Sequence, residues 1–293
     1  MDAGDLSVFA AVARTGGISR AAQALNTVQS NVTQRIRLLE RELGVPLFHR
    51  HSRGVTLTPA GAQLLPYAQQ IGNLLSEARR AATDGPVPAG RLTIGSLETT
   101  AARRLPPILS AYTAAFPKVD IVLQTGTSAE LVTHVVERRL EGAFVAGPID
   151  HPLLLEEPII EEELVFLTAP SAPKLKTYLR RAAKGEIDVK ILVLRAGCSY
   201  RQRLEAFLEE QGLVEPRRLE FGTVDGIVGC VGAGIGVTML PRAVVAAAIG
   251  EGRIAAHALP PAQARVTTVF VRRRDAFIST ALSRFLDCAR QGV

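Results

Sequence analysis

The sequence predicts an α/β protein whose N-terminal part is all-helical apart from one short hairpin. Three observations carry this. Up to residue 83, apolar residues recur mainly in steps of three and four, the period of helices. From residue 91 the texture changes to short apolar runs, "RLTIGS", "VDIVLQTG", "GAFVAG", "ELVFLTA", "KILVLRAG" and "IGVTML", with helix-like segments between several of them. Such alternation predicts mostly parallel sheets. Between the two textures lies "DGPVPAG" (84–90), whose Pro and Gly residues interrupt both patterns and read as a hinge.

In the first part, Leu6, Phe9, Ala10 and Ala13 are spaced for a helix, and "TGG" at 15–17 stops it. "SRAAQAL" (19–25) is a second, short helix with Ser19 as N-cap. Asn26 and Thr27 make a turn. A third helix follows, with Val28, Val32, Ile36, Leu39 and Leu43 as a narrow apolar stripe, ended by Gly44 and Pro46. "LFHRHSRGVTLT" reads as strand, basic turn at Arg53-Gly54, and strand. Thr58-Pro59 then starts a long helix, in which Leu64, Tyr67, Ile71, Leu74, Ala78 and Ala81 form a stripe suited to packing on another helix. Pro66 removes one of its backbone hydrogen bonds and predicts a kink. Beyond the hinge, helices are expected at 101–115, 128–140, 200–211 and 223–232, with an amphipathic one in "DAFISTALSRFLDCARQ" near the end.

The totals narrow the function. At roughly 100–200 residues per domain, 293 residues suit two or three domains, and 47% hydrophobic residues support folded cores. A formal charge of +6 is compatible with a nucleic-acid partner without requiring one. Three scattered cysteines with no CxxC point to a reducing, cytoplasmic setting. The acidic start "MDAGDLSVFA" lacks the basic region of a signal peptide. The most apolar stretch, 223–240, contains Asp225 and five glycines, so a buried passage from helix to strand is expected there and no membrane partner.

On the third helix, the side opposite the apolar stripe presents Ser30, Thr33, Gln34, Arg37 and Arg41, with Gln29 at its border. Gln, Ser and Thr side chains hydrogen-bond base edges in a major groove, and Arg does so or holds phosphate. A short helix, tight turn and longer helix match a helix-turn-helix, and Arg50, His51 and Arg53 on the hairpin are placed for backbone or minor-groove contact. Double-stranded DNA is therefore the expected partner.

The stretches "FAAVARTGGISRAAQALN" and "VQSNVTQRIRLLERELGVPLFHRHSRGVTLTPAG" resemble the N-terminal part of LysR-type transcriptional regulators. "PPILSAYTAAFP", "GCSYR" and "GCVGAGIGVTMLP" extend the resemblance over nearly the whole chain. Where the family often reads Ser-Gln-Pro at the start of the recognition helix, this chain has Val28-Gln29-Ser30, and Gln34 stands where Arg is common. The resemblance implies DNA contacts at Gln29, Ser30, Thr33 and Arg35; the helical wheel puts Arg35 near the core edge, with phosphate as its target. It also implies a winged helix-turn-helix over 1–58, a dimerising linker helix and hinge over 59–89, and an effector-binding region over 90–293. That last region would be a two-lobed, periplasmic-binding-protein-like α/β fold, with lobe I from 90–161 and 267–293 and lobe II from 162–266. A homodimer or homotetramer is implied, with a small-molecule effector between the lobes.

Four stretches are candidates for that cleft: "GSLETTA" with Ser96, Thr99 and Thr100; "TGTSAE" with Thr127 and Ser128; "RAGCSYR" with Cys198, Ser199 and Arg201; and "GTVDG" with Thr223. Hydroxyls beside exposed helix-start amides favour an anion such as a carboxylate. Other chemistries find less support. Gly232, Gly234 and Gly236 follow a helix and lead into a strand, the reverse of a dinucleotide loop, so close backbone packing is expected. Cys198 reads as a small buried or cleft-lining thiol rather than a redox sensor. The histidines lack metal spacing, and no nucleophile elbow joins Ser, His and Asp. No catalytic residue, metal or cofactor is expected. A transporter's solute-binding protein would leave residues 1–83 unexplained, and an α/β enzyme would need a catalytic constellation.

Overall fold

A computed structural model describes residues 1–52 and 54–291. The chain forms two compact units, Met1–Thr83 and Asp84–Val293.

The first unit begins with α1 (Ala3–Thr15), whose N-terminus carries a reciprocal capping box between Asp2 and Asp5. Gly16 closes it at φ 66°, in the left-handed region that favours glycine. α2 (Ile18–Ala24) starts one residue before the expected Ser19 cap, with extended Gly17 at the N-cap, and Ser19 falls in its first turn. α3 spans Gln29–Leu43. Its core stripe is shorter than the periodicity predicts: Val32, Ile36 and Leu39 are fully buried, but Val28 is 64% and Leu43 38% exposed. Val28 is the N-cap, with extended backbone, so helical spacing does not apply to it.

β1 (Phe48–His51) and β2 (Gly54–Leu57) form the expected antiparallel hairpin. Glu40 on α3 accepts the backbone N–H of Leu47 at 2.9 Å, the Val55 N–H donates to the Gly16 carbonyl at 3.1 Å, and the Phe9 and Phe48 rings lie 5.3 Å apart. The hairpin is thereby held on both neighbouring helices. Thr58 then caps α4 (Pro59–Thr83), accepting the Gly61 N–H at 3.0 Å. α4 continues through Pro66 for 25 residues.

The second unit opens with β3 (Gly90–Ser96), α5 (Glu98–Arg103), α6 (Leu105–Ala115), β4 (Val119–Thr125), α7 (Ser128–Val136) and β5 (Gly142–Ala146). The single helix expected at 101–115 is divided at Arg104, because Pro106 and Pro107 lack the N–H to continue a helix and instead start one. The helix expected over 128–140 ends at Val136, and Arg138 follows with φ 59°. Next come β6 (Leu154–Thr168), α8 (Leu175–Ala183), β7 (Lys190–Val193), α9 (Ser199–Glu210), β8 (Arg217–Glu220) and α10 (Val224–Gly232). The chain finishes with β9 (Thr238–Pro241), α11 (Arg242–Gly250), β10 (Ala255–Ala258), α12 (Pro261–Ala264), β11 (Arg265–Arg273) and α13 (Thr280–Gln291). Ser279 sets the start of α13 by accepting the Leu282 N–H at 3.1 Å.

The expectation of mostly parallel sheets is corrected. β3 pairs parallel with β4 and β5, and β7 with β8, but β11 is antiparallel to β5 and β6, and β6 to β9 and β10. The antiparallel pairs arise because β6 and β11 run past each other, from Arg265 opposite Glu163 to Arg273 opposite Leu154. β6 continues beyond Glu163 into pairing with β9 and β10, so one strand serves both lobes.

One lobe is packed around Phe144, Phe270, Tyr112 and Phe285, with Phe144 and Phe270 ring centres 5.0 Å apart. The glycine run after α10 serves close packing: an added Cβ would overlap the Arg253 carbonyl oxygen at Gly232 and that of Lys190 at Gly236. No helix among the described residues is long and apolar enough to cross a membrane.

Candidate functional site

Two surfaces gather residues with chemistry to offer, one in each unit. In the first unit, α3 is seated on α1 and α2 through Val32, Ile36 and Leu39. The 100° step per residue then turns Gln29, Ser30, Gln34 and Arg37 outward, where all are exposed, while Thr33 is half-buried at the edge. The guanidinium groups of Arg37 and Arg41 make no ion pair among the described residues, so they remain available to phosphate. Arg35, for which phosphate is the expected target, has its guanidinium 3.0 Å from Asp5 and 3.7 Å from Asp2 on α1. Arg50 is exposed on β1 with Glu40 at 3.7 Å. Arg53 lies outside the described residues.

In the second unit, four strand-to-helix connections converge on a cavity of about 140 Å³. Leu97, Glu98 and Thr99 come from the β3–α5 turn, and Thr125, Gly126, Thr127 and Glu130 from β4 and the start of α7. Leu194, Arg195 and Cys198 come from the β7–α9 loop, Tyr200 from the first turn of α9, and Phe221 and Gly222 follow β8. Two sides of the cavity meet where Thr99 Oγ1 approaches the Tyr200 hydroxyl at 3.4 Å.

The electrostatics of the cavity follow from burial and capping. Glu130 accepts the Thr127 backbone N–H at 2.9 Å, which holds its carboxyl below the usual range, with help from the Thr127 hydroxyl and the charges of Arg195 and His134. Burial pushes the Tyr200 phenol up to about 12, so it stays protonated. Burial also raises the Cys198 thiol, outweighing the amides of Arg201 and Tyr200 and the charge of Arg201, and it leaves little thiolate. Glu98 and the Arg195 guanidinium form no hydrogen bond or ion pair among the described residues.

Of the residues expected in the cleft, Thr99, Thr127 and Cys198 reach the cavity wall. Ser96 is fully buried and donates to the Leu97 carbonyl at 3.0 Å, and Thr100 is buried as well. Ser128 and Ser199 line a separate, open depression of about 550 Å³ beside Gly147–His151 and Arg203. Arg201 is engaged by Glu205 at 3.1 Å and Glu220 at 3.5 Å. Thr223 is exposed and caps α10 through the Gly226 N–H at 3.3 Å. The sequence reading passed over Glu98, Thr125, Arg195, Tyr200 and Phe221. Glu98, Thr125, Arg195 and Tyr200 lie inside the quoted stretches, but a search for hydroxyls beside helix starts does not select charged or aromatic residues, nor Thr125 at the end of β4. No group of His, Cys, Asp and Glu among the described residues is arranged to hold a metal ion.

Comparison with known proteins identifies both parts of the chain. Residues 4–62 match the family model for the bacterial regulatory helix-turn-helix protein of the lysR family, and residues 86–293 match that for the LysR substrate binding domain. The chain is 44% identical over 284 residues to the HTH-type transcriptional regulator GltR of Bacillus subtilis, covering 96% of this chain and 93% of that protein. It is 39% identical over 287 residues to the HTH-type transcriptional regulator SoxR of an Arthrobacter species, covering 98% of this chain and 96% of that one. Among solved structures, full-length CbnR in complex with its target DNA superposes with a TM-score of 0.68 at 25% identity, covering 100% of both chains.

Proposed function

The chain belongs to the LysR family of DNA-binding transcription regulators, and from that premise we propose how its two surfaces divide the work. Family membership makes it a regulator with a substrate-binding domain rather than an enzyme. In our reading, α3 enters the major groove, where Gln29, Ser30, Thr33 and Gln34 meet base edges. Arg37 and the hairpin residues Arg50 and Arg53 hold phosphates, and Arg35 supports the reading helix through Asp5 from beside the duplex. The observation that carries this is the division of α3 itself. Val32, Ile36 and Leu39 are 0% exposed, while Ser30, Gln34 and Arg37 on the other face are open to a partner.

The exposed stripe of α4, with Tyr67, Ile71 and Leu74, supports a dimer that brings two reading helices to paired half-sites. Two dimers joined through residues 84–293 would make a tetramer, working where the DNA is, in the cytoplasm. A small molecule in the cavity of the second unit favours one arrangement of the lobes, to the extent that its affinity differs between arrangements. Arg195 gives that effector a partner for an anionic group.

The DNA reading is tested by gel shift on the segment upstream of the protein's own gene. Thr33→Ala is expected to weaken specific binding by about 0.5–1.5 kcal/mol, the worth of one hydrogen bond, and to leave non-specific binding nearly unchanged. Equal losses on both would remove Thr33 from base readout.

A further inference from the structure

We infer that the effector of the second unit is a small zwitterion, an amino acid or close analogue carrying both an ammonium and a carboxylate group. The inference rests on the reading of the 140 Å³ cavity as the effector site. Three side chains that carry charge at neutral pH line that cavity: Glu98, Glu130 and Arg195. Glu130 is already occupied, closing a capping box with Thr127 through the Thr127 N–H at 2.9 Å and its hydroxyl at 3.1 Å. Glu98 and the Arg195 guanidinium are not: neither has a hydrogen-bond or ion-pair partner among the described residues. Half-buried Glu98 and exposed Arg195, whose charge also acts on Glu130, thus line the same small space with no hydrogen bond or ion pair of their own among the described residues.

A ligand that fills the space takes water away from both groups. A buried charge is tolerated when it is paired and costly when it is not. A simple carboxylate would pair with Arg195 but bring a third negative charge beside Glu98 and Glu130. A simple amine would pair with Glu98 and leave Arg195 partly desolvated, with only the charge of Glu130 to answer it. A molecule with both groups satisfies both, its carboxylate against the flat donor fork of Arg195 and its ammonium against Glu98. Leu97, Leu194 and Phe221 leave apolar wall for a side chain, and Thr99 and Tyr200 add hydroxyls. The cavity, at about 140 Å³, falls below the range of about 300–1,000 Å³ typical of drug-sized ligands and suits a small one. Glu98 also stands in the first turn of α5, where a negative charge favours the helix whatever binds. That role predicts an effect on stability and none on ligand preference.

The test is calorimetry and thermal shift on the full chain with three matched sets: the protein amino acids, the acids that lack only their amino group, and the amines that lack only their carboxylate. At least one amino acid is expected to bind and raise the melting temperature. Its deaminated and decarboxylated counterparts should bind about tenfold or more weakly. Glu98→Gln should abolish the preference over the deaminated acid, and Arg195→Gln the preference over the amine. A deaminated acid binding as well as its amino acid overturns the proposal, as does an absence of binding in all three sets. Loss of binding in Gln202→Ala, a residue of the separate depression, with neither cavity variant affected, overturns the cavity as the effector site and the proposal with it.

Discussion

Arg35 shows how far a single residue can be read from spacing. The helical wheel places it at the edge of the α3 core, and the guanidinium is indeed half-buried, but two carboxylates of α1 hold it. Asp5 is three residues from Asp2 and thirty from Arg35, so the pairing depends on how two helices cross. Arg37, two residues on, has no such partner among the described residues. The two arginines should therefore respond differently to substitution. Arg37→Ala is expected to reduce the slope of log affinity against log salt by about 1. Arg35→Ala should leave that slope unchanged and lower the unfolding free energy by about 0.5–1 kcal/mol, the loss of a half-exposed ion pair. Titrations of DNA binding over a range of salt, beside urea melts, separate the two roles. Glu98 and Arg195 teach the same lesson at the cavity: their charge was legible in the sequence, but not that two separate strand-to-helix connections would bring both to one cavity with no ion pair among the described residues.

At the scale of elements, the helical N-terminal part was legible nearly residue by residue, because its signals are local. Capping residues, glycine stops and the apolar stripe all act within a few positions. The departures were local too: Val28 leaves the stripe because it caps the helix, and Pro106-Pro107 divide one expected helix into α5 and α6. α4 carries the clearest element-level prediction. Tyr67, Ile71 and Leu74 are 65%, 38% and 49% exposed along one face. An apolar stripe of this kind calls for a second helix. Ile71→Glu is expected to shift the protein from dimer toward monomer in sedimentation, and to weaken operator binding more than half-site binding. A variant that stays dimeric would move the interface away from α4.

At the scale of the whole molecule, the second unit depends on β6, which serves both lobes, and on its antiparallel partner β11, and the two make the sheet mixed. β10 closes one edge of that sheet, and its His257 meets the Thr168 hydroxyl of β6 at 2.9 Å. Burial lowers the His257 pKa below its ordinary 6.5. The neutral form is thus favoured in the folded state, so the contribution to stability is complete above the unfolded value and is lost as pH falls from there through the folded one. Chemical denaturation should show stability falling as the pH drops through and below 6.5, with His257→Gln flattening that dependence. Glu157, Glu163 and Asp275 are held below their ordinary values by hydrogen bonds from Arg290, Arg242 and Arg273, so their contributions are lost only at more acid pH.

The sequence by itself determined the helix-turn-helix, its hairpin, the exposed polar face of α3 and the family, because each rests on residues close along the chain. Tertiary structure alone decided the mixed sheet and the composition of the cavity. Strand direction is set by partners a hundred residues apart, as where Arg265 meets Glu163. The cavity wall is set by four loops that only the finished sheet brings together. Ser96, Thr100 and Thr127 carry similar hydroxyls beside helix starts, and only the packing turns Thr127 toward the cavity while Ser96 and Thr100 stay sealed beneath it.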